Sequence, residues 1–77
     1  MCAADRGHLT SKLAVAITRT PQPDPARAAS LGLHALSIAR DTGSARIMRE
    51  LRTLDNRLTE QWPGLPASRA FRDALAA

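Results

Sequence analysis

What this chain lacks narrows its possibilities first. Cys2 is its only cysteine, so no intramolecular disulfide can form and a reducing compartment is expected, although the thiol could join two chains. Trp62 and Phe71 are the only aromatic residues, which leaves no platform on which single-stranded nucleic acid could stack. No apolar run approaches the ~18 residues needed to cross a bilayer, and the opening Met1-Cys2-Ala3-Ala4-Asp5-Arg6 lacks the charged-then-apolar layout of a signal peptide. A soluble cytoplasmic protein with no membrane association is expected. Strand signals are missing too, with no alternating run of Val, Ile, Thr and aromatics. Cys-x-x-Cys, His-Glu-x-x-His, an acidic calcium loop and the Gly-rich phosphate cradles do not occur. No nucleophile–base pair or cofactor loop can be assigned, so neither an enzyme nor a cofactor is expected.

Ala, Leu and Arg, good helix formers, dominate what is present. Eleven basic residues stand against seven acidic ones for a net charge of +4, and Lys12 is the only lysine. Such an arginine and alanine bias resembles the codon usage of a GC-rich genome, and inflates charge without a functional demand. With 77 residues the chain allows one domain. Pro and Gly cluster at 21–25, 41–44 and 63–66 and divide it into four segments.

The spacing predicts a first helix over about 5–18, with Leu9, Leu13, Ala16 and Ile17 as an apolar stripe and Gly7 weakening its first turn. Asp24 as N-cap and Pro25 at the first helical position open a second helix, which ends near Gly43 as a left-handed cap. Its apolar residues fall on two sides, Ala28, Leu31, Ala35 and Ile38 against Leu33 and Leu36, as in a helix held between neighbours. Ser44 caps a third helix whose Ile47, Leu51, Leu54 and Leu58 make the strongest amphipathic pattern, with Trp62 in line and Arg49, Arg52, Asn56 and Glu60 opposite. Residues 66–77 offer Ala67, Ala70, Phe71, Ala74 and Leu75 as a short capping helix. Short connections between four helices imply antiparallel neighbours.

Ala28, Gly32 and Ala35, followed by Leu36, stand at the small-large-small spacing of the second helix of a tetratricopeptide repeat, and Ala70, Ala74 and Ala77 repeat it. Ala14 and Ile17 match Leu51 and Leu54 in the first helices. The chain thus resembles two degenerate tetratricopeptide-like repeats: an all-α fold of two stacked antiparallel hairpins, about 5–41 and 44–77, in one domain spanning 1–77. Gly32 replaces the usual aromatic, and the first-helix Trp and Gly are not present. More narrowly, residues 4–14, 35–46 and 49–55 resemble the C-terminal region of actinobacterial Cro/repressor-type helix-turn-helix transcription regulators. In that family tetratricopeptide-like repeats form the regulatory half behind a DNA-reading domain, which has no counterpart in these residues. The resemblance implies transcription regulation through protein binding and does not carry DNA recognition over.

The expected function is therefore a non-catalytic protein–protein interaction or oligomerisation module. A groove lined by the first helix of each hairpin would present Lys12, Ala16, Arg19, Arg46, Arg49 and Arg57 to a protein or acidic peptide. In a stack of only two hairpins Leu9, Leu13 and Ile17 have no roof, which predicts a homodimer through the first helix. The rival is a small basic nucleic-acid-binding protein using Arg46, Arg49, Arg52 and Arg57, with Arg40 just upstream; the interleaved Glu50, Asp55 and Glu60 dilute that field and favour a solvated helix face. Trp62 is either an interface anchor or the closing residue of the core, with the core preferred. His8 and His34, without ligand-spaced partners, belong at partly exposed helix positions, and Cys2 is a bare thiol.

Overall fold

Three of the four helices begin where a side chain or a proline deals with the unpaired amides of the first turn; the first helix has neither. The computed structural model describes residues 2–77 as four helices, α1 (Ala3–Thr18), α2 (Pro25–Thr42), α3 (Ala45–Gln61) and α4 (Pro66–Ala76), with no strand among them. The Asp24 carboxylate accepts from the Arg27 amide at 3.0 Å, with Pro25 entering the helix behind it. The Ser44 hydroxyl accepts from the Ile47 amide at 3.2 Å. Gly43 takes φ 68° and ends α2, its amide and that of Ser44 both donating to the Ala39 carbonyl.

Ile47, Leu51, Leu54 and Leu58 of α3 are fully buried, and each contributes ~1.5–3 kcal/mol by leaving water. They meet α2, which touches all three other helices through its small face of Ala28, Ala29, Gly32, Ala35 and Ala39, together with Leu36. Leu33 stays 40% exposed, so of the two leucines on the expected second face only Leu36 enters the core. A Cβ on Gly32 would lie 2.6 Å from Leu54 Cδ2 and 2.7 Å from Phe71 Cε1. That notch seats the fully buried Phe71 ring of α4. Small side chains on one helix are thus what let large ones on two others close over it.

On α1 the structure departs from the spacing. The helix starts at Ala3, and Gly7, far from loosening the first turn, lies close against two other helices: a Cβ there would stand 2.7 Å from both Ile38 Cγ2 and Ile47 Cδ1. The core face is Gly7, Ser11, Ala14, Val15 and Thr18. Ser11 and Thr18 tolerate burial because their hydroxyls donate to the His8 and Val15 carbonyls at 2.8 and 2.6 Å. The stripe of large side chains points outward: Leu9 and Leu13 are 53% and 47% exposed, Ala16 is exposed, and only Ile17 packs partly on the core. Close approach selects the small face, since bulky leucines at that seam would hold the helices apart. On α4 Ala70 is likewise exposed, and burial follows Ser68 and Phe71 with Ala67, Ala74 and Leu75 beside them. Trp62 is half-buried and packed against the core at the end of α3.

Helix α1 contacts α2 and α3, α3 contacts α4, and among the described residues α1 and α4 do not touch. The molecule measures 33 × 27 × 15 Å along its principal axes. No helix of the described residues is long and apolar enough to cross a membrane.

Candidate functional site

Three polar links cross the seam between α1 and α3. Asp5 pairs with Arg46 at 3.2 Å, Lys12 with Glu50 at 3.3 Å, and the Arg57 guanidinium donates to the Thr18 hydroxyl at 2.6 Å and to its carbonyl at 3.1 Å. The third link is partly buried and closes the end of α1, where the last carbonyls lack helical partners. Lys12, Arg46 and Arg57 therefore come together along one seam, each already matched by an oxygen. The first two pairs are solvent-exposed and each contributes at most ~1 kcal/mol.

Other candidates sit apart. Ala16 is exposed on α1 and Arg19 just past its end, and the Arg19 side chain makes no hydrogen bond or ion pair to a described residue. Arg49 borders a different concavity. A cleft of about 470 Å³ opens between the end of α2 and the first turns of α3, lined by Ala39, Arg40 and Gly43 on one side and by Ser44, Ala45, Met48, Arg49 and Arg52 on the other. Arg40 is anchored by donating from Nη2 to the Ala74 and Ala77 carbonyls at 2.7 and 2.9 Å. Arg49 and Arg52 have no such partner among the described residues. Met48 and Arg40 had no place in the sequence-derived groove. The short turn at 43–44 brings them beside Arg49, and the only mark of it in the sequence is the cap pair Gly43-Ser44 between two basic stretches.

The remaining strong polar link ties α3 to α4. Arg72 donates to both carboxylate oxygens of Asp55, at 3.0 Å from Nη2 and 3.2 and 3.3 Å from Nε. This hydrogen bonding, and secondly the attraction of the same carboxylate, raises the Arg72 guanidinium above its ordinary value. Cys2 is exposed and its thiol lies 3.2 Å from Asp5 Oδ2. His8 is half-buried and His34 exposed. Among the described residues no three His, Cys, Asp or Glu side chains are grouped as metal donors.

Comparison of the chain with family models, with characterised proteins and with solved structures finds no match.

Proposed function

We propose that this chain is a non-catalytic protein-interaction module acting in the cytoplasm, two antiparallel hairpins stacked as degenerate tetratricopeptide-like repeats, which associates with a second copy of itself through α1. The repeat reading is supported by which helices meet. A two-hairpin staircase pairs first with second, first with third, second with third and fourth, and third with fourth, and leaves the first and fourth apart; those are the contacts observed. The small stripe Ala28, Gly32 and Ala35, buried between neighbours, supports it further. The resemblance to the regulatory tail of actinobacterial Cro/repressor-type regulators gives such a module a place in transcription regulation.

One observation carries the self-association: α1 is apolar on two faces and only the small one is covered, leaving Leu9 and Leu13 half exposed along the other. A two-fold antiparallel crossing would set Leu9 of one copy on Leu13 of the other, with Ala16 small enough to let the helices approach. An acidic peptide in the α1–α3 seam is less favoured, because it would have to displace Glu50 from Lys12 and Asp5 from Arg46. Sedimentation velocity at micromolar to millimolar concentration tests the reading. The wild type should sediment as a dimer of the 8.3 kDa chain and Leu13→Glu as a folded monomer. A wild type that stays monomeric over that range overturns it.

Nucleic-acid binding through charge is the second reading, favoured by the unpartnered Arg49 and Arg52. It requires binding to duplex DNA or RNA that weakens steeply with salt.

A further inference from the structure

We propose that the cleft between the end of α2 and the first turns of α3 binds a small organic anion, an oxyanion head joined to an apolar body. This site is separate from the α1 face and does not depend on self-association.

Three arginines, Arg40, Arg49 and Arg52, line the cleft, and no carboxylate is among its lining residues. That is unusual within this molecule. Cations on the helix seams are matched: Lys12 by Glu50, Arg46 by Asp5, Arg72 by Asp55 and Arg57 by Thr18. Arg6, Arg19, Arg27 and Arg69 are also unmatched among the described residues, but none of them lines this cleft. At this cleft unmatched guanidinium groups and a concave surface coincide. Two planar forks facing one volume suit an oxyanion, which each can grip through paired N–H donors.

The rest of the cleft suits the other half of the ligand. Its apolar lining includes Ala45, exposed, and Met48, half-buried and adaptable in shape. A volume of about 470 Å³ lies in the range of small-molecule sites. Arg40 is already ordered by the Ala74 and Ala77 carbonyls, so its positive charge is in place before a ligand arrives. The first amides of α3 add a weaker positive potential behind the arginines. A polynucleotide fits less well, because the half-buried Trp62 at the far end of α3 is the nearest indole and no aromatic side chain lines the cleft on which a base could stack.

Titration of the ¹⁵N-labelled full chain, followed by amide shifts, tests the site with phenyl phosphate, benzoate, inorganic phosphate and a short DNA duplex as probes. Phenyl phosphate and benzoate should each give saturable shifts confined to residues 39–52, and their ranking tells a phosphate head from a carboxylate head. Arg49→Gln and Arg52→Gln, exposed positions whose folding is checked by circular dichroism, should each weaken binding about tenfold. Leu13→Glu should leave it unchanged. Three results would overturn the proposal: no saturable shift with either organic anion, inorganic phosphate binding as tightly as phenyl phosphate, or duplex DNA competing at the same residues with higher affinity.

Discussion

Gly32 and Ser68 show how single positions in this fold are set by what packs on them. In an isolated helix Gly32→Ala would gain about 1 kcal/mol of helix propensity. Here the new methyl would enter space held by Leu54 and the fully buried Phe71 ring, at 2.6 and 2.7 Å. Leu54 can turn its methyl aside, but the Phe71 ring is closed in. Overpacking of roughly 1–3 kcal/mol should outweigh the gain, and thermal denaturation should show a lower Tm for the variant. Ser68 behaves in the opposite sense. Its hydroxyl is buried at the start of α4 and finds no partner among the described residues. Removing it in Ser68→Ala should stabilise the fold by about 1 kcal/mol, because an unsatisfied buried hydroxyl is worse than none. Urea denaturation reads this directly, and a loss of stability would show that the hydroxyl is paired.

Among the elements, α4 depends most on its neighbours, since it has no side-chain N-cap and is the shortest helix. Phe71 in the α2 notch and the Arg72–Asp55 pair hold it in place. The pair's dependence on pH follows from the direction in which Arg72 is shifted. On the alkaline side, a cation raised above its unfolded value keeps its stabilising contribution up to that value and loses it only as pH rises through the folded one. For a guanidinium that window lies in strong alkali. Arg72→Met should therefore lower Tm by the same amount at pH about 6 and at pH about 9, as measured by circular dichroism melts. A deficit that shrinks towards the higher pH would mean that Arg72 acts through another group. Helix α1 is anchored differently, by Gly7 at one end and by Arg57 on Thr18 at the other. These anchors hold its small face inward while Leu9 and Leu13 stay outside.

At the scale of the whole molecule, a chain of 77 residues buries only a modest fraction of its apolar surface. Leu9 and Leu13 on α1 remain outside the core, and the proposed self-association would cover them. Dimerisation linked to folding makes stability depend on concentration. Wild-type Tm should rise as protein concentration increases, whereas Leu13→Glu should melt at one temperature throughout. A wild-type Tm independent of concentration would count against a dimer. The net charge of +4 opposes close association, so added salt should favour the dimer by screening it.

The four helices and the boundaries marked by caps and turns were legible in the chain because these are local chemistry: Asp24, Pro25, Gly43, Ser44 and Pro63 act on residues within a few positions of themselves, whereas the start of α1, which has no capping side chain, was not. The α3 core stripe was legible for a related reason, since only one face of that helix is apolar. Helix α1 offered two apolar faces, and periodicity alone favoured the larger residues. Choosing the small face required knowing that Ile38 and Ile47 would come within contact of Gly7, a fact of how three helices meet. The same holds for the basic groups. Their number was plain from the composition, but which were matched by Asp5, Glu50, Asp55 or Thr18, and which were left facing a cleft, depends on distances between helices far apart in the chain. Local hydrogen bonding determines where helices start and stop; excluded volume between them decides which faces are buried and where the unmatched charge collects.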